Sequence, residues 1–172
     1  MLCLDAEPNA AHRKLAQWEQ EGKLKAVVTQ NIDGLHQAAG SRTVYELHGS
    51  VLRNYCTECG QFYPMEYVHD AKGVPFCEKC GGRIKPDVVL YEEGLDQKII
   101  TGAMRAIEAA DMLIIGGTSL VVYPAAGLIN YFRGRHLVLI NKSVTPADSE
   151  AELVINDDIA WVMKKSVDVL AE

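Results

Sequence analysis

Apolar and polar positions alternate between two periods along this chain. Residues 8 to 21, PNAAHRKLAQWEQE, predict a helix: Leu15 and Trp18 fall three apart on one face, Pro8 suits the first turn and Gly22 the stop. LKAVVT (24–29) then predicts a strand, residues 33–39 a short helix ended by Gly40, and TVYEL (43–47) a second strand. Between 52 and 85 the periodicity vanishes and cysteine, glycine and aromatic residues collect, which predicts a small inserted module. Beyond it come a strand VVLY (88–91), a helix over 96–109, a strand DMLIIGG (111–117) and a helix from Pro124 to about 133. Strands at 136–141 and 153–155 and a helix over 158–170 complete the series. Strands that are near-continuous apolar runs alternating with helices predict an α/β fold, a Rossmann-like doubly wound parallel sheet. The expected division is a partial nucleotide-binding domain, 1–51 and 86–172, with a module at 52–85.

Composition narrows the class. In 172 residues, 48% are hydrophobic and 23% charged, so a packed core is expected. The net charge of −6 argues against nucleic-acid binding, which needs a basic face. No apolar run approaches a membrane span, and MLCLDAEPNA lacks the basic and apolar regions of a secretory signal. A cytoplasmic setting is expected, and there paired cysteines serve as metal ligands more often than as disulfides.

Cys56, Cys59, Cys77 and Cys80 follow the spacing C-x2-C-x17-C-x2-C. Two such turns bring four thiolates into a tetrahedron, the arrangement of a zinc site with no open position, and hence of a structural ion. The competing readings are two disulfides, or a zinc ribbon that binds nucleic acid. Cys3 is left over as an ordinary small side chain.

Three polar clusters follow apolar strands, where open α/β sheets bind ligands. The first is Thr29-Gln30-Asn31-Ile32-Asp33-Gly34-Leu35-His36, in which Asn31 and Asp33 equally suit helix capping. The second is Glu46-Leu47-His48-Gly49, and the third Gly116-Gly117-Thr118-Ser119, small residues that let phosphate or ribose approach the backbone.

In order and spacing, TQNIDGLHQAAG, ELHG, the cysteine pairs, GTSLVVYPAA and, more loosely, VINDDI resemble the sirtuin core, and PNAAHRKLAQWE resembles the helix before its first motif. The resemblance covers essentially the whole chain. It implies NAD-dependent removal of acetyl or other acyl groups from protein lysines, giving nicotinamide and O-acyl-ADP-ribose. His48 is then the base that helps deprotonate a ribose hydroxyl, a task suited to an imidazole of pKa near 6.5. Asn31 positions the ribose and a water, Asp33 holds the nicotinamide amide, Ile32 packs nearby and Gln30 contacts the ribose. Gly117, Thr118 and Ser119 line the phosphate and ribose path, Asn141 takes the adenosine ribose, and Asp158 and Ile159 lie near the adenine. The acyl-lysine peptide pairs as a strand between Val88, Val89 and Tyr91 on one side and Val121 and Val122 on the other; those valines equally suit a plain strand core. NAD and one structural zinc are the implied cofactors.

Two departures stand out. Tyr91-Glu92-Glu93 replaces the family's Phe-Gly-Glu. The family's glycine-rich pyrophosphate loop does not occur, so a sheet incomplete at its N-terminal βα unit is expected, with weak NAD binding, weak deacylation, and self-association through the exposed sheet edge. A catalytically silent zinc-containing peptide-binding fragment and an ADP-ribosyltransferase are the alternatives.

Overall fold

The computed structural model describes residues 5–90 and 92–166; Cys3, Tyr91 and the predicted helix beyond 166 lie outside the described residues. Helix α1 (Ala10–Gln20) begins two residues later than the pattern predicts. Asn9, not Pro8, sets its start: the Asn9 side chain accepts from the amides of Ala11 and His12, and His12 accepts from the Asn9 amide in return. Such a reciprocal cap is worth about 1 kcal/mol. The helix ends as Gly22 predicts. Gly22 takes φ 73°, and the amides of Gly22 and Lys23 close on the carbonyls of Glu19 and Trp18.

Strands β1 (Val27–Thr29) and β2 (Val44–Glu46) pair in parallel around the short helix α2 (Leu35–Ala38). The chain then enters an antiparallel sheet, order β4-β3-β5, made of β3 (Gly49–Cys56), β4 (Phe62–Pro64) and β5 (Ile84–Val88), with α3 (Met65–His69) beside it. The expected strand at 88–91 is corrected: the strand starts at Ile84, ends at Val88 and pairs antiparallel with β3. Its apolar residues resembled a core strand, but Pro86, which cannot donate to a ladder, marks it as an edge.

Helix α4 (Gln97–Glu108) leads into a parallel sheet of β6 (Met112–Gly116), β7 (His136–Ile140) and β8 (Leu153–Ile155), closed by α5 (Ile159–Lys165). The helix expected from Pro124 is a 3-10 helix, Ala125–Tyr131. Gly127, a poor helix former, sits inside this element. Among the described residues the parallel strands form two ladders, β1-β2 and β6-β7-β8, instead of one.

Alternation in β6–β8 assigns each face. Ile115, Leu137, Leu139 and Val154 pack with Ile129 and Phe132 on one side. Ile114, Val138, Ile140 and Ile155 pack with Ala11, Leu15 and Trp18 of α1 and Met163 of α5 on the other. Both faces are thus covered by helices, as a doubly wound sheet requires. A third cluster joins the two ladders: Ala103 and Ile107 of α4, with Ala125 and Leu128, meet Leu47, Val28 and Tyr45 from the first ladder and Leu113 from the second. Gly102 permits this approach, since a Cβ there would lie 2.4 Å from Cε1 of Tyr45. No helix among the described residues is long and apolar enough to cross a membrane.

Leu139 is 1% exposed at the centre of β7, whereas Leu153, at the start of β8, is 49% exposed. Leu139→Ala is expected to lower unfolding free energy by about 2–5 kcal/mol and Leu153→Ala by well under half of that, read from urea midpoints. Equal costs would contradict this assignment of the core.

Candidate functional site

Parallel pairing of Thr29 with Glu46 brings the carboxyl ends of β1 and β2 side by side, and with them the first two polar clusters. The Leu47 amide donates to the Thr29 carbonyl at 2.9 Å. Past Thr29 the chain bends: the Asn31 amide donates to Thr29 Oγ1 at 3.1 Å, and the Leu35 amide to Asp33 Oδ1 at 3.0 Å. Asp33 therefore shapes the entry to α2, although the cap itself is Gly34, at φ 71°, where a Cβ would meet Leu52 Cδ1 at 2.5 Å. Asn31 and Asp33 remain exposed, and Gln30 and Ile32 half-buried. The Ile32 carbonyl accepts from the Val51 amide at 3.0 Å, which fastens this loop to β3.

His48 is half-buried, with Nδ1 3.1 Å from the carbonyl oxygen of Gln30. A carbonyl only accepts, so Nδ1 carries the proton in this bond, and Nε2 of the neutral ring keeps its lone pair. That tautomer is what a general base requires. The next residue decides the direction of the chain. Gly49 has φ 76°, and a Cβ there would sit 1.9 Å from the Asp87 carbonyl oxygen. Only glycine fits, and it lets β3 lie against β5 with Gly49 opposite Val88. The Val89 amide then donates to the His48 carbonyl at 3.1 Å. Val88 and Val89 are both half-buried beside His48.

Beside this group lies a polar bracket around Glu46, whose partners Gln37, Arg53 and Asp87 the residue patterns did not single out. Glu46, 9% exposed, accepts from Gln37 Nε2 at 2.9 Å and from Arg53 Nη1 at 2.8 Å. Arg53 Nε donates to Asp87 Oδ2 at 2.9 Å. One guanidinium thus ties β2, which ends two residues before His48, to β5, which ends at Val88. The available signal was a carboxylate inside the apolar run TVYEL, which is costly unless paired.

The remaining candidates gather at the carboxyl ends of β6, β7 and β8. The Gly117 amide donates to the Ile140 carbonyl and the Asn141 amide to the Ile155 carbonyl, both at 3.1 Å. Gly116 is pressed by Ile159, whose Cδ1 would lie 2.1 Å from an added Cβ. Thr118 Oγ1 accepts from the Leu120 amide at 3.2 Å, and Ser119 is exposed. Asn141 Nδ2 donates to the Ser143 carbonyl at 2.8 Å. Asp158 caps α5 through the amides of Ala160 and Trp161 and pairs with Lys142 at 2.8 Å, so its carboxyl stays below the usual range, first through the Lys142 bond. Val121 and Val122 are exposed, 62% and 50%, in the segment after β6.

The four cysteine sulfurs lie within 4.8 Å of one another, with Cys56–Cys80 at 3.4 Å and Cys59–Cys77 at 3.6 Å. A disulfide needs about 2.05 Å, and all four cysteines are free. A tetrahedral zinc with Zn–S of about 2.3 Å spaces its sulfurs by roughly 3.8 Å, so the group fits one such ion. Cys56 and Cys77 are buried in a small core with Tyr63 and Ile84. The Tyr63 phenol hydrogen bond draws the Cys77 thiol down to about 6, while the same bond pushes Tyr63 up to about 12.

The model of the Sir2 family matches residues 1–124, a span holding the Thr29–His36 loop, His48, Val121, Val122 and all four cysteines. An NAD-dependent protein deacetylase of Clostridium perfringens is 67% identical over 165 residues, covering 95% of this chain and 68% of the relative. One from Clostridium acetobutylicum is 63% identical, covering 95% and 67%. The chain thus spans about two-thirds of each. A Sir2 structure with a p53 peptide and NAD+ superposes with a TM-score of 0.86 at 40% identity, covering 94% of this chain and 69% of that one. A Sir2 bound to an acetylated peptide gives 0.86, 40%, 94% and 70%.

His36 and His12 meet near Asp33 with ring centroids 4.6 Å apart and planes tilted by 57°, and His36 Nδ1 is buried with no hydrogen-bond partner among the described residues. Burial, then repulsion from His12, lowers His36 below the ordinary 6.5. His12 is lowered too, again first by burial. Just below pH 6.5 the unfolded chain therefore binds more protons than the native one. Stability present above that pH is lost as pH falls through the lowered folded value. His36→Gln is expected to flatten this acid loss, measured as urea midpoints between about pH 5 and pH 7. An unchanged slope would count against it.

Proposed function

Because the chain belongs to the Sir2 family, we propose that it removes acetyl or other acyl groups from protein lysines using NAD, yielding nicotinamide and O-acyl-ADP-ribose. The observation that carries this reading is the bond between His48 Nδ1 and the Gln30 carbonyl, which leaves Nε2 as the ring nitrogen with a free lone pair. NAD would supply the ADP-ribosyl group that takes the acyl from lysine, with nicotinamide as the leaving group. His48 takes the proton from a ribose hydroxyl, and the carbonyl of Gln30 holds the imidazolium that results. In this reading Asn31 and Asp33, both exposed on one loop, take the ribose and the nicotinamide amide, with Ile32 nearby and Gln30 contacting the ribose. Gly117, Thr118, Ser119, Asn141, Asp158 and Ile159 form the adenosine and phosphate side.

The acyl-lysine strand is proposed to pair beyond Val88, Val89 and Tyr91 on one flank and Val121 and Val122 on the other, with affinity drawn from main-chain bonds. Support comes from the exposure of Val121 and Val122 and from the Val89–His48 bond, which sets that flank next to the base. Zinc holds the 52–85 module and takes no part in chemistry, since four thiolates fill its shell. The nucleotide-binding part is then 1–51 with 86–172. A cytoplasmic setting, where thiols stay reduced, belongs to the same proposal. So does self-association, since β1 and β6 each pair on one side only among the described strands; sedimentation as a single monomer would refute that part.

The test is nicotinamide release from NAD with an acetyl-lysine peptide, with the products identified. His48→Ala is expected to reduce turnover by about 10²–10⁴-fold, the usual worth of a positioned base, while peptide affinity stays nearly unchanged. Undiminished release in His48→Ala, or ADP-ribosylated protein in place of O-acyl-ADP-ribose, would overturn the reading.

A further inference from the structure

Tyr63 is 7% exposed, and its hydroxyl lies between two groups. The Glu78 amide donates to the phenol oxygen at 2.9 Å, and Cys77 Sγ lies 3.1 Å from it. An amide only donates, so the hydroxyl proton is left to point at sulfur. The ring of Tyr63 packs on Tyr67, centroids 4.5 Å apart, and the Tyr67 hydroxyl donates to the Phe76 carbonyl at 2.9 Å. The two tyrosines therefore grip the residues on either side of Cys77, but only Tyr63 reaches the sulfur itself.

Four thiolates on one divalent zinc leave a net charge of about −2 in a partly buried site. Hydrogen bonds to sulfur spread that charge. Cys56 has a backbone donor, the Glu58 amide at 3.4 Å. Cys77, buried among Tyr63, Ile84 and Cys56, has a side-chain hydroxyl as well as the backbone amides of Lys79 and Cys80.

We propose that Tyr63 is a positioning residue for the metal, an outer-sphere donor whose O–H holds the Cys77 thiolate in place and slows loss of zinc. This rests on zinc occupying the four-cysteine site and not on the deacylase reading, so either can fail without the other. Glu78 fixes the direction of the donor, and Tyr67 fixes the plane of the ring. Loss of the hydroxyl leaves the stacked ring and the fold of the module in place, while the sulfur loses its one hydroxyl donor among the described residues.

The experiment compares the zinc-loaded full chain with Tyr63→Phe and Tyr67→Phe. Transfer of zinc to a chromogenic chelator is expected to show about 10–100-fold weaker retention in Tyr63→Phe, the usual effect of losing an outer-shell partner. In the cobalt-substituted proteins, the thiolate-to-metal charge-transfer band is expected at longer wavelength in Tyr63→Phe and unmoved in Tyr67→Phe, because only the former strips a donor from sulfur. Wild-type retention and an unmoved band in a folded Tyr63→Phe overturn the proposal. If that variant does not fold, the cadmium-loaded wild type decides by NMR: a Tyr63 hydroxyl proton protected from exchange supports the proposal, and a freely exchanging one overturns it.

Discussion

Contact between the backbone at Gly49 and the carbonyl of Asp87 organises this molecule. A Cβ at residue 49 would stand 1.9 Å from that oxygen, and the backbone is left-handed there. Glycine meets both demands, and at this point the chain leaves a parallel ladder for an antiparallel one. His48 is the last residue before the change, and Val88 faces Gly49 across it. The histidine, the valine flank and the zinc-binding sheet are therefore positioned by a single close approach, reinforced by Arg53 reaching both Glu46 and Asp87.

Burial and charge are divided sensibly around that junction. Glu46 is buried where a lone carboxylate would be costly, and it is satisfied by Gln37 and Arg53. The described residues proposed to meet ligand are exposed or half-buried, and the loops that carry them are shaped by hydrogen bonds to or from the backbone: Asn31 to Thr29, Leu35 to Asp33, His48 to Gln30. Rigid strand ends thus present polar groups without asking the core to bury them. The zinc module follows a different rule. Its small core is built on Cys56, Tyr63, Cys77 and Ile84, so the metal ligands are also its packing residues, and metal binding and folding are coupled there.

The parallel architecture is carried by the same economy. Alternating side chains of β6 and β7 feed two helical layers, and α4 with the adjoining 3-10 helix spans both ladders. The membership in the Sir2 family and the superposition on solved Sir2 proteins agree with this layout.

Local chemistry made part of this legible in the residues alone. The alternation of apolar runs with helical patterns determined the α/β class, Gly22 marked the end of α1, and the cysteine spacing determined the four-thiol cluster, because two short turns can reach one point without help from the rest of the chain. The order of the motifs was sufficient to indicate the family. Other features depended on which segments meet. Ile84–Val88 became an edge strand because β3 was there to pair with it, and Pro86 was tolerated because no described strand lies beyond it in that sheet. Ala125–Tyr131 closed as a 3-10 helix in the space beside α4. Asp87 and Tyr63 stand far in sequence from Arg53 and Cys77, the groups they bind, so no periodicity marks them. Their hydrogen bonds exist only after the sheet brings those distant groups to about 3 Å, the distance at which such bonds form.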